Sequence, residues 1–328
     1  MKHYSYTILC GLLAVVPLLL ASGCEEQGPY TPGDNGGNGN GEENEWVLVW
    51  SDEFDVPTAD GRPDPLNWNY DLGNSGFGNQ ELQNYTDRVE NASYVTLGDS
   101  IGCLRIAALR DWYDGIEYSS ARINTAGKYE FRYGRFEARL MLPYGPGLWP
   151  AFWLLGGDYE TNTWPACGEI DIMENKGYQP NIVSCALHMP GYSGGNPITT
   201  TFGYEDRRFD TDFHIFAVEW DEEKIEFSVD GVTYQSVTRE DAPDGQWVFD
   251  HPFFIILNVA VGGNFGGNPT DGTYFPQYMY IDYVRVWQKP EHIDPEANRG
   301  ETEFSGPIDD WNDSDSDKGL NILDRVKK

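Results

Sequence analysis

Three acidic residues fall within six positions of one another in the run Cys167-Gly168-Glu169-Ile170-Asp171-Ile172-Met173-Glu174. Carboxylates alternate with Ile170 and Ile172. Alternation of period two predicts a β-strand with Glu169 and Asp171 on one face and the isoleucines on the other. Strict alternation would turn Glu174 away from its partners. One extra residue, Met173, corrects this if the strand carries a β-bulge, a feature that recurs beside active sites. All three acids then face one surface, where like charges repel. A solvated strand face tolerates such crowding, but a chain that needed only to fold would rarely specify it.

Strand-like runs dominate the rest of the chain. Examples are Leu104–Leu109, Arg135–Leu142, Ile182–His188, Phe213–Trp220, Ile225–Val229, Phe253–Val261 and Tyr278–Trp287. Asp230-Gly231 between two such runs signals a hairpin. No long amphipathic helix is evident, and 37 glycines and 20 prolines punctuate the strands. Many short antiparallel strands predict two packed sheets, an all-β sandwich.

Aromatic residues crowd the approach to the acids. Trp149 and Trp153 differ by an even number of positions and so share a strand face. With Phe152 and Leu154 in the core, both indoles line a cleft, where flat sugar C–H faces stack on such rings. Trp164 follows within the same stretch.

Composition narrows the partners. The formal charge of −31 and sequence pI of about 4.3 exclude nucleic acid and an anionic membrane surface. They suit a neutral substrate. Cys103, Cys167 and Cys185 follow the N-terminal segment, so at most one disulfide forms among them, and spacing does not choose the pair.

Residues 1–24 read as a targeting segment. Lys2 supplies positive charge, Ile8–Leu20 is an apolar run, and Ala21-Ser22-Gly23-Cys24 follows. The pattern resembles a bacterial lipoprotein signal with Cys24 as the lipidated residue. Membrane contact is then expected only through that anchor, on the bacterial outer membrane, with simple secretion as the alternative. Residues 25–45 are rich in Gly, Asn and Glu, with too little apolar surface to offset ordering entropy, and read as a flexible linker. Residues 46–289 make one catalytic-domain-sized globular unit. Residues 290–328 form an acidic tail expected to be disordered. Asp313, Asp315, Asp317, Asn321 and Asp324 in that tail have the spacing of a calcium loop, but Gly319 is one place late for it.

The acidic block and its surroundings resemble glycoside hydrolase family 16, whose signature is Glu-x-Asp-x-x-Glu or the same without the inserted residue. The resemblance runs from about Trp46 to about Gln288. It includes Trp50-Ser51-Asp52-Glu53-Phe54, Gly78-Asn79-Gln80-Glu81-Leu82-Gln83-Asn84-Tyr85, Gly134-Arg135-Phe136-Glu137-Ala138-Arg139, Leu148 to Leu154, and Ile281 to Trp287. The inserted form, together with Leu257 to Asn264, is similar to the laminarinase branch. The resemblance implies a concanavalin A-like β-jelly roll with a concave substrate cleft, acting as a monomer on β-1,3 or mixed β-1,3/1,4 glucan. A galactan hydrolase of the agarase or carrageenase type, and a non-catalytic carbohydrate-binding protein, are the alternatives.

The family's chemistry follows residue by residue. The resemblance implies that Glu169 is the nucleophile, Glu174 the general acid and then base, and Asp171 the assistant between them. Glycoside hydrolysis needs one ionised and one protonated carboxyl group beside the bond, and the retaining reaction passes through a glycosyl-enzyme ester. The resemblance also implies that Asn79 and Arg122 hold sugar hydroxyls, and that His188 lies on the neighbouring strand near the acids. It requires no catalytic metal. It further implies a structural calcium ion at Asp282, with a backbone carbonyl near Glu53.

Overall fold

The computed structural model describes residues 46–98 and 101–293. The targeting, linker and tail expectations, with Cys24 among them, lie outside the described residues except at the tail's first turn, Pro290–His292.

Two eight-stranded sheets and a two-stranded ribbon make up the fold. The first sheet runs, edge to edge, Val232–Thr238, Lys224–Val229, His214–Trp220, Gly134–Met141, Gln277–Gln288, Ile101–Ala108 and Ala92–Leu97, with Val47–Asp52 also paired to Gln277–Gln288. The second runs Ile198–Gly203, Ile182–His188, Glu169–Asn175, Leu148–Gly156, Phe253–Val261, Arg122–Asn124 and Asn69–Tyr70, with Glu130–Phe131 also paired to Phe253–Val261. Every pairing within these two sheets is antiparallel. This is the all-β sandwich that the strand periodicity predicts.

The core lies between the sheets because each strand turns alternate apolar side chains inward. Phe152, Leu154, Ile170, Val183, Cys185 and Leu187 from the second sheet join Leu104, Phe136, Leu140, Phe216, Val218 and Val284 from the first in one buried cluster. Each large apolar side chain so buried contributes about 1.5–3 kcal/mol. Phe253–Val261 is buried along its whole length. Its odd-numbered residues join the central cluster, while Phe254 and Ile256 pack with Leu155 and Cys167 on the opposite face. Cys103, Cys167 and Cys185 are all buried free thiols.

Two turns show how local sequence sets this frame. Asp230 and Gly231 both have positive φ, 49° and 76°, between the paired residues Val229 and Val232. That is the conformation a two-residue hairpin with right-handed strand twist demands. Gly168, immediately before the acidic strand, has φ 76°, and a Cβ there would lie 2.8 Å from Phe253 Cζ. Only glycine fits, so the strand's entry is fixed by its own sequence.

The expected bulge is present. Asp171 pairs with Ala186 and Glu174 with Ser184, so three steps on the acidic strand match two on its neighbour. On the other side Met173 pairs with Phe152 and Asp171 with Trp153. The unpaired residue is therefore Ile172 rather than Met173. Both side chains enter the core, at 2% and 0% exposure, so the bulge absorbs two consecutive inward residues and returns Glu174 to the outer face.

Deleting Met173 should restore regular alternation, keep cooperative unfolding, and cost about 2–5 kcal/mol for the lost buried side chain. Inserting one alanine after Met173 should instead turn Glu174 inward and strand a carboxylate at a cost of several kcal/mol. Circular dichroism and thermal unfolding of the two variants check this; an insertion variant as stable as the wild type would contradict it.

Candidate active site

The outward face of the second sheet gathers the site. Its central strands Leu148–Gly156 and Glu169–Asn175 supply Trp149, Trp153 and the three acids, and Ile182–His188 supplies His188. Glu169 pairs in register with His188. His188 Nε2 lies 3.3 Å from Asp171 Oδ2 and 3.6 Å from Glu169 Oε1. Trp149 Nε1 donates a 3.0 Å hydrogen bond to Glu174 Oε1. The Trp164 ring lies 5.7 Å from that of His188 and is 45% exposed, which extends the aromatic wall beyond the acids. Trp149 and Trp153 are half-buried on one face while Phe152 and Leu154 are in the core, as their spacing predicts.

Trp153 is held by a polar network under the cleft. Its Nε1 donates to Asn258 Oδ1 at 2.8 Å, and Asn258 Nδ2 donates to the Tyr85 hydroxyl at 3.1 Å. The Arg122 guanidinium stacks 4.7 Å from the Trp153 ring and 5.3 Å from Phe77. Arg122 Nε meets Asp71 Oδ2 at 2.8 Å, and Asp71 is fully buried. Arg122 is thus brought beside the aromatic wall, locked by a buried charge partner. Asn79 is half-buried near it: its carbonyl accepts the Asn264 amide N–H at 2.8 Å, and its side chain meets Glu81.

Sequence reasoning missed Asp71, Asn258 and Phe77. Asn258 had a readable signal as the only polar residue in the run Phe253–Val261. Asp71 had none, because its partner Arg122 is distant in the chain.

At the expected calcium site, the Asp282 carboxylate has a guanidinium beside one of its oxygens. Arg139 Nη1 lies 2.6 Å from Asp282 Oδ2, and Arg285 clasps both oxygens of Glu53 at 2.9 and 2.7 Å. Among the described residues, the cluster of three potential metal donors is Glu169, Asp171 and His188.

Burial dominates the electrostatics of the acids. It pushes the Glu169 carboxyl up to about 8, and the neighbouring charge of Asp171 adds to the rise. Burial also pushes Asp171 up to about 8. Glu174 rises to about 8 through burial and then the charge of Asp171, against the opposing hydrogen bond from Trp149. The trio therefore holds protons at pH values where free carboxyls have lost them. One strand face can then present a protonated acid and an ionised carboxylate together.

Comparison with known proteins places the chain in a family. The model for glycosyl hydrolases family 16 matches residues 77–285. A beta-glucanase of Rhodothermus marinus is 44% identical over 254 residues, covering 74% of this chain and 85% of that protein. A glucan endo-1,3-beta-glucosidase of Cryptopygus antarcticus is 38% identical over 261 residues, covering 74% of this chain and 92% of that one. The solved catalytic domain of an endo-1,3-beta-glucanase (laminarinase) from Thermotoga petrophila superposes with a TM-score of 0.68 at 45% identity, covering 75% of this chain and 99% of that structure.

The raised Glu169 carboxyl carries a stability consequence. The folded state keeps its proton between the ordinary value of 4.5 and about 8, so this group's contribution falls as pH rises through that window. Below 4.5 both states are protonated and the penalty vanishes. Glu169→Gln should therefore raise Tm by about 2–4 °C or more at neutral pH, and the gain should disappear near pH 4. Calorimetry of both proteins across that range is the check; an unchanged or lowered Tm at neutral pH would contradict it.

Proposed function

The chain belongs to glycosyl hydrolases family 16 and hydrolyses β-glucan within the polymer, and we propose that it does so by double displacement, acting on β-1,3 linkages of the laminarin type. The observation that carries this reading is the bulge, which delivers Glu169, Asp171 and Glu174 to one face beside Trp149 and Trp153. A glucan chain lies along that face with its C–H surfaces on the indoles. Ionised Glu169 attacks the anomeric carbon while Glu174 gives its proton to the departing glycosidic oxygen. Glu174, now a carboxylate, takes a proton from water as that water attacks the same carbon and frees Glu169. Asp171, between them, raises the proton affinity of both. His188, close to Asp171 and Glu169, orients that pair. Arg122 and Asn79 hold sugar hydroxyls on the non-reducing side.

Two other readings are weaker. A sulfated galactan would need free cations in the cleft, and Arg122 is already paired with Asp71 on a chain of charge −31. A non-catalytic glucan binder would have no use for three acids whose proton affinity burial raises. We also propose that the enzyme is exported and anchored through a lipid on Cys24, which rests on the sequence of residues 1–24 alone. Fatty-acid labelling of the wild type and not of Cys24→Ser would bear this out, and equal labelling of both would refute it.

Glu169→Gln and Glu174→Gln should each lower laminarin turnover by at least about a hundredfold, in line with the size of general-acid catalysis. They should differ on an aryl glucoside with a good leaving group. That substrate needs little acid assistance, so Glu174→Gln should keep its glycosylation step while Glu169→Gln should not. Equal impairment of the two on the activated substrate would overturn the assignment of roles.

A further inference from the structure

We propose that Zn2+, or a divalent transition ion of similar chemistry, binds Glu169, Asp171 and His188 and excludes glucan from the cleft. The inference rests on the roles proposed above for those residues. One donor atom from each of the three lies within 4.8 Å of the others. Ligands about 2.0–2.2 Å from zinc at tetrahedral angles are about 3.3–3.6 Å apart. His188 Nε2 stands 3.3 Å from Asp171 Oδ2 and 3.6 Å from Glu169 Oε1. Two of the three separations are therefore already those of a zinc site before any ion arrives.

A second observation points the same way. Asp171 is 4% exposed and its carboxyl is hydrogen-bonded to Glu169, while its Oδ2, which faces His188, is buried with no hydrogen-bond partner found among the described residues. A buried carboxylate oxygen without a donor is costly, and a dication would satisfy it while screening the repulsion between Asp171 and Glu169. The donor set selects the ion. An imidazole nitrogen with two carboxylate oxygens suits zinc and its neighbours, whereas calcium and magnesium require more oxygens. The remaining position on the ion opens to the cleft and would take water. His188 Nδ1 has no hydrogen-bond partner among the described residues. Zinc-bound imidazoles are normally steadied by such a partner, so the site should be reversible rather than permanently loaded. Glu169 bound to the ion cannot attack an anomeric carbon. The cleft is thus closed by metal and reopened by chelation or by a high concentration of glucan.

The test titrates the mature enzyme with Zn2+ during laminarin hydrolysis and, separately, with Co2+ while recording its visible absorption. Zn2+ should raise the apparent KM with little change in kcat, and EDTA should reverse this. His188→Gln should move the Zn2+ midpoint upward by roughly tenfold or more. A tetrahedral Co2+ band should appear with the wild type, weaken in His188→Gln, and fade as a laminari-oligosaccharide is added. Unaltered kinetics in millimolar Zn2+, or an unshifted midpoint in His188→Gln, would overturn the proposal. The Co2+ band is read without turnover, so failure of the metal site is distinguishable from failure of the glucanase reading.

Discussion

Repulsion among three carboxylates on one strand face is the constraint around which the molecule is organised. Burial opposes the ionisation of all three, and the charge of Asp171 opposes that of Glu169 and Glu174, while only the Glu169–Asp171 hydrogen bond favours the charged form of Asp171. What fixes them is the opposite face of the same strand. Ile170, Ile172 and Met173 are locked into the sandwich core, and the acids follow. The stability of an entire two-sheet protein is in this way applied to an arrangement that local electrostatics would disperse. Site groups that cost stability in exchange for reactivity are expected in enzymes.

The cleft beside the acids is built on the same plan. Trp153 does not rest on apolar packing alone but is tied through Asn258 to Tyr85, and Arg122 above it is tied to buried Asp71. These contacts join the Leu148–Gly156, Phe253–Val261 and Arg122–Asn124 strands to the segments carrying Asp71 and Tyr85. The walls beside the acids are therefore tied in place, and fixed placement of side chains is what orients a substrate productively.

Much of this was legible in the sequence, and for a physical reason. Strand-like apolar runs marked Ile182–His188 and Phe253–Val261 with their observed bounds, and Asp230-Gly231 announced its hairpin. The need for a bulge followed from parity alone. Parity could not say which of two adjacent inward residues would lose its partner, so Ile172 rather than Met173 came from the register. Edge strands such as Ile198–Gly203, mostly polar and half-exposed, gave a weak signal. Least legible were charge pairs between distant positions. Arg122 with Asp71, Arg139 with Asp282 and Arg285 with Glu53 each join segments that only the sheet brings together.

The central claim is that Glu169 forms a bond to the sugar. A 2-deoxy-2-fluoro laminaribiosyl fluoride slows both chemical steps but keeps a good leaving group, so the glycosyl-enzyme should accumulate. Proteolysis and mass spectrometry of the trapped protein then locate the added sugar. The account predicts a single modified peptide with the ester on Glu169. A label on Asp171 or Glu174, or rapid turnover with inversion at the anomeric carbon and no trapped species, would contradict it.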